Sequence, residues 1–191
     1  MRRLMRVILA VAGIVGCMLA SPSSSAQKLP KSIYIQAQAM GQSTQLGRTF
    51  NITLIIEEFS TPEDQQALLA AFNEKKNEGL VNALNKMHTK GRMSITGTLG
   101  YDVAYIRQWK QPDGSTKYRL VTNRPITFGE AWSDSRSMDY SLSGVEIIMF
   151  PDKKKNSGTL LPAVQLKMNK ENQLELETYQ NPWKLVNIMR R

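Results

Sequence analysis

Alternation of apolar and polar positions sets the rhythm of this chain. Ile33, Ile35, Ala37 and Ala39 alternate with Tyr34, Gln36 and Gln38. A period of two predicts a strand with one face buried. Phe50, Ile52, Leu54 and Ile56 repeat the pattern around Asn51 and Thr53, giving the strongest strand, rich in β-branched residues. Tyr101, Val103, Tyr105, Arg107 and Trp109 are expected on one face of a further strand. Residues 117–122 return as its hairpin partner through the turn Gln111-Pro112-Asp113-Gly114. Residues 92–96, 145–150, 159–168, 174–177 and 183–188 supply the remaining strands.

One segment, residues 60–88, breaks this rhythm and reads as helix. Its apolar groups are Ala67 to Phe72, then Leu80, Val81, Ala83, Leu84 and Met87. Ser60 or Thr61 can cap its start, Pro62 suits the first helical position, and Glu63 and Asp64 complement the helix dipole. Ser60 with Glu63 also fits a capping box. Gly79 is expected to divide the segment into helices over 63–77 and 80–88. Lys76 would interrupt the apolar stripe of a single continuous rod, which also favours a hairpin.

Eight or nine strands joined mostly by short turns, without βαβ alternation, predict an antiparallel sheet. The expected fold is α+β and mainly β. It is an antiparallel sandwich or partly closed barrel with one inserted helical hairpin at about residues 61–89. Residues 27–191 form a single β-rich domain in this reading.

The first 26 residues read differently. Arg2, Arg3 and Arg6 precede an apolar run over residues 7–20, followed by small residues ending at Ala26. This is the pattern of a secretory signal peptide, and the run is short for a membrane span. Ile14-Val15-Gly16-Cys17 offers a second export reading, a lipobox that would acylate Cys17 and anchor the protein to a membrane. A periplasmic or secreted protein is expected on the first reading, a membrane-anchored lipoprotein on the second. Cys17 is the only cysteine, so the domain has no disulfide and no thiol chemistry.

The 191 residues carry a formal charge of +9. Of 25 basic residues, three are the leader arginines; the rest, against 16 acidic, leave +6. Lys153-Lys154-Lys155 and Arg190-Arg191 hold much of it and read as solvated turn and tail. Their functional reading is attraction to an anionic envelope surface. No basic-aromatic motif points to nucleic acid.

Catalytic groups are scarce. The lone histidine, His88, falls at the end of the helical segment, where the dipole favours it. One histidine and no cysteine in the domain leave no zinc set, and no calcium loop, G-x-S-x-G elbow or phosphate loop occurs. No cofactor and no metal are expected. A carboxylate pair drawn from Glu58, Asp102, Glu130, Asp134 and Asp139 would be the only route to a hydrolase.

Residues 123–140 lack a clear period and concentrate Arg124, Trp132, Arg136 and Tyr140 among acids. Long irregular loops are often functional, and arginine with aromatic rings suits carbohydrate or anionic ligands. These four are the candidate binding residues. The competing structural reading has Arg124 and Arg136 pairing with the acids while Trp132 and Tyr140 plug one end of the fold.

Val121-Thr122-Asn123-Arg124-Pro125-Ile126-Thr127-Phe128, Arg136-Ser137-Met138-Asp139-Tyr140, the helical segment, and Asn181-Pro182-Trp183-Lys184-Leu185-Val186-Asn187 resemble segments of an uncharacterised family of exported bacterial proteins. The likeness covers nearly all of the chain beyond the leader. It implies no activity and carries over no catalytic residue. The expected function is a non-enzymatic envelope module that binds a ligand or protein partner. The alternatives are an apolar-ligand (lipid) carrier with the helices as a lid, and a carboxylate hydrolase.

Overall fold

The alternating stretches become nine strands: β1 (Ile33–Met40), β2 (Thr49–Ile56), β3 (Gly91–Ile95), β4 (Tyr101–Lys110), β5 (Thr116–Thr122), β6 (Leu142–Met149), β7 (Ser157–Met168), β8 (Leu174–Thr178) and β9 (Trp183–Arg190). The computed structural model describes residues 32–124, 141–168, 174–178 and 181–191. The sheet order is β6-β5-β4-β3-β2-β1-β9-β7-β8, and β6 pairs again with β7. Eight antiparallel strands therefore close into a barrel. Of the two expected architectures, the sandwich is replaced by a barrel whose closure is complete. Closure removes the exposed edges that a sandwich would have to protect.

β7 makes that closure possible. Gly158 to Leu160 pair with β9, whereas Val164 to Met168 pair with β8. β8 thus extends the sheet beyond the barrel wall. A bulge near Pro162 shifts the register between β6 and β7. Proline lacks the donor that a regular ladder position needs, so a bulge suits it.

The inward faces fill the barrel. Ile35, Ala37 and Ala39 meet Ile52, Leu54 and Ile56 from β2, Tyr118 and Leu120 from β5, Val145 and Ile147 from β6, and Trp183 and Leu185 from β9. Phe50 stacks at a tilt on Trp183, ring centres 4.7 Å apart. The small Ala39, paired with both Phe50 and Leu185, leaves room for those rings.

The face expected for β4 is split. Val103 pairs with Thr122 and Tyr105 with Val121, so Ala104 is an extra residue in the strand. The bulge reverses the parity of side chains. Val103 and Ile106 enter the barrel core, while Ala104 and Tyr105 lie outside.

That outer surface carries the helical insertion, α1 (Pro62–Lys86). Leu68, Phe72, Leu80 and Leu84 pack on Ala104, Tyr105, Val121, Leu142, Leu161 and Val164. Thr61 is the N-cap, and its capping box is closed by Asp64, not by the expected Ser60 with Glu63. Ser60 instead joins β4: its Oγ accepts from the Ile106 amide at 3.0 Å, and its amide donates to the Ile106 carbonyl at 2.7 Å. The helix breaks at Lys75 and Lys76, the latter at φ 50° and ψ −133°. A hairpin forms as expected, but its hinge is not Gly79. Gly79 lies where the second arm presses on the first.

Candidate functional site

The strand ends at one pole of the barrel line an open cavity of about 460 Å³. Lys110 closes β4, Thr116 and Tyr118 open β5, and Met149 ends β6. Phe150, Pro151 and Lys153 follow β6, and Arg190 and Arg191 come from the end of β9. Lys110, Lys153, Arg190 and Arg191 bring four cationic side chains to this mouth, and no acidic residue lines it.

Arg190 and Lys110 are placed by their strands. Arg190 pairs with Ile35, whose side chain is wholly buried in the barrel. Cross-strand partners share a face, so Arg190 turns inward at the rim. Its Nη1 lies 3.4 Å from the hydroxyl of Tyr118 on β5. Lys110 donates to Thr116 Oγ1 at 2.8 Å. Asn156 fixes the third wall: its Oδ1 accepts from the Phe150 amide at 2.9 Å, and its Nδ2 donates to the Ile188 carbonyl at 3.1 Å. None of the four cations has a carboxylate partner among the described residues.

Two other ion-pair clusters are internally satisfied. Lys90 is buried and reaches Glu58 Oε1 at 3.2 Å and Asp64 Oδ2 at 3.1 Å. Burial alone would lower the Lys90 pKa, but Asp64 and Glu58 outweigh it and hold the ammonium above its ordinary range. Burial likewise pushes Asp64 up, and the Thr61 amide and Lys90 bring it below the usual carboxylate value. His88 lies 2.9 Å from Glu58 Oε2 and is 63% exposed, so it ends the helical segment at the surface. On the outer wall Glu146 bridges Lys117 at 3.0 Å and Arg119 at 2.5 Å. Burial raises its pKa, and the two cations more than reverse that. Both cations also lie over the Trp109 ring.

Of the four residues expected to bind a ligand, Arg124 is described. It is exposed, and its guanidinium lies 4.9 Å from the centre of the Tyr101 ring. Its Nη2 donates to the Gly100 carbonyl at 3.4 Å. Trp132, Arg136 and Tyr140 lie outside the described residues, as do Cys17 and the whole leader. Glu130, Asp134 and Asp139 lie outside them too, while Asp102 is exposed and opposite Arg92 in the sheet.

The mouth was not among the expected sites. By sequence Arg190 reads as part of an unpatterned tail, because a bulge in β9 hides its phase. Gln36 pairs with Met189 and Gln38 with Val186, so β9 has an extra residue near Asn187, at φ 52°. Counting by twos from Trp183 and Leu185 puts Arg190 outside. The one visible signal was apolar Ile188, out of step with that count and buried.

A second cavity of about 380 Å³ lies on the outer wall, lined by Gln36, Gln38, Asn51, Thr53, Thr96 and Asn187 among others, with no charged group. Among the described residues no cluster of His, Cys, Asp and Glu could hold a metal ion, and no helix is long and apolar enough to cross a membrane. Comparison with family models, curated proteins and solved structures finds no match.

Proposed function

We propose that this chain is an exported, non-enzymatic binding protein of the cell envelope that takes a small anionic ligand in the mouth of its barrel. The observation that carries this reading is the convergence of Lys110, Lys153, Arg190 and Arg191 on one cavity without a lining acidic side chain. Unneutralised cations in a concave site focus the field and draw an anion in. Export rests on the leader pattern of residues 1–26.

The carrier alternative receives less support. The barrel interior is occupied by its own side chains, and the helical hairpin packs on the outer wall instead of over an end. The hydrolase alternative lacks an acid pair among the described residues, since Glu58 is engaged by Lys90 and His88.

Titration calorimetry with glycerol 3-phosphate, and with glycerol as its neutral counterpart, tests the proposal. The phosphate ester binds the native protein and glycerol does not. Arg190→Gln weakens binding by roughly tenfold or more, the scale of one lost charge-assisted hydrogen bond. Arg124→Gln, at the opposite end of the strands, leaves it unchanged. Equal affinity in the native protein and the Arg190→Gln variant would sink the mouth as the site.

A further inference from the structure

The cationic surface continues past the cavity. Lys153, Lys154 and Lys155 form a short 3-10 turn and are all exposed. Asp152 caps that turn, its Oδ1 accepting from the Lys154 amide at 3.1 Å. Asn156 ties the turn to the Ile188 carbonyl, so the lysines stand beside the end of β9. With Lys110, Arg190 and Arg191 they surround one pole of the barrel.

The carboxylates of that pole keep their charge but are outnumbered by these six basic side chains. Asp113 is taken by its own turn, accepting from the Ser115 amide at 2.9 Å. Asp152 is the cap just described. Glu58 is held by Lys90 and His88, and Glu57 lies past the end of β2; both are exposed, as are Asp113 and Asp152. The cations also have apolar neighbours: Met149 and Phe150 are half-buried, and Pro151 is exposed.

We propose that this pole docks on an anionic phospholipid surface, with one headgroup phosphate in the mouth and the lysine turn over neighbouring headgroups. The inference rests on the anion-binding reading above and names the source of the anion. Charge complementarity favours an anionic surface, because each basic residue near such a bilayer adds attraction over a Debye length. The apolar rim favours lipid over an acidic polysaccharide. Met149, Phe150 and Pro151 can meet the glycerol and upper acyl region, for which a sugar chain offers no apolar counterpart.

Co-sedimentation with phosphatidylcholine vesicles, with and without phosphatidylglycerol, tests it. All variants share the same N-terminal apolar run, so differences between them report the mouth and the turn. The native protein prefers the vesicles containing phosphatidylglycerol, and raising salt from about 0.1 M to about 0.5 M abolishes that preference. The double change Lys154→Gln and Lys155→Gln, at two lysines outside the cavity lining, lowers affinity for these vesicles on the order of 30-fold. It leaves glycerol 3-phosphate binding nearly intact.

No preference for anionic vesicles, or equal preference in the double variant, overturns the docking proposal. If glycerol 3-phosphate still binds the native protein in that case, the mouth reading survives alone. If vesicles bind through the lysines but Arg190→Gln matches native protein on both probes, the headgroup placement is wrong. Stronger capture by an acidic polysaccharide such as alginate than by the vesicles overturns the choice of lipid.

Discussion

A Cβ on Gly79 would lie 2.1 Å from the carbonyl oxygen of Ala71. Eight positions separate the two residues, so this approach exists only because the helical segment folds back on itself. Glycine here serves close packing of the arms. Gly79→Ala is therefore predicted to destabilise the protein by about 1–3 kcal/mol, the range for overpacking a tight site. Helix propensity alone predicts the opposite sign, a gain of about 1 kcal/mol. Urea unfolding decides between them.

Lys76 is the hinge and occupies a backbone region that glycine tolerates better, at φ 50° and ψ −133°. Its ammonium lies 5.1 Å from the centre of the Phe72 ring. Lys76→Gly relieves strain of order 1–3 kcal/mol and gives up a cation–π contact of roughly 0.5–1 kcal/mol. Added chain entropy in the unfolded state offsets a further part, on the order of 0.5–1 kcal/mol. The expected net result is a small gain, seen as a rise in the urea midpoint. A clear loss would mean that the hinge is not strained.

The sequence showed the strands because a half-buried antiparallel strand must alternate, and these do. It showed the helical hairpin through Lys76, whose charge could not sit in a continuous apolar stripe. It hid whatever depends on a single extra residue. The bulge at Ala104 divides Val103 from Tyr105, and the bulge near Asn187 turns Arg190 inward. A bulge changes parity without changing composition, so period counting passes over it. Closure was hidden for another reason: pairing of β9 with β7 and with β1 depends on long-range register that no local pattern encodes. The mouth depends on both, since closure brings Arg190 to Tyr118 and the bulge aims it.

Lys90 joins the two ends of the insertion, being bound to Glu58 before the helix and Asp64 in its first turn. Lys90→Met should cost about 1–3 kcal/mol at neutral pH, below the full cost of breaking a buried pair because Glu58 retains water access. The pH dependence follows from the shifts. Asp64 is depressed below its ordinary 3.8, so its contribution is present above that value and lost as pH falls through the lower folded value. Lys90 is raised above 10.5, so its contribution is present below that value and lost as pH rises through the higher one. The difference between native and variant stability should stay flat between these limits and shrink outside both. A difference that disappears between these limits would mean that Lys90 is not coupled to the two carboxylates.

Arg190 and Tyr118 separate charge from geometry at the mouth. Arg190→Lys keeps the positive charge and loses the planar fork that can hold two phosphate oxygens. Tyr118→Phe keeps the buried ring and removes the hydroxyl 3.4 Å from the guanidinium. If the mouth works only as a positive field, both variants bind glycerol 3-phosphate as the native protein does. If Arg190 is aimed by Tyr118, Arg190→Lys weakens binding by roughly five- to tenfold and Tyr118→Phe by roughly two- to fivefold. The second outcome is expected, because Arg190 reaches Tyr118 from the opposite wall of a closed barrel and so is held toward the cavity. Barrel stability should move by no more than about 1 kcal/mol in Tyr118→Phe, since the long contact is a weak hydrogen bond and the ring still fills its place. Parallel urea titrations check that any lost affinity belongs to the mouth and not to the fold.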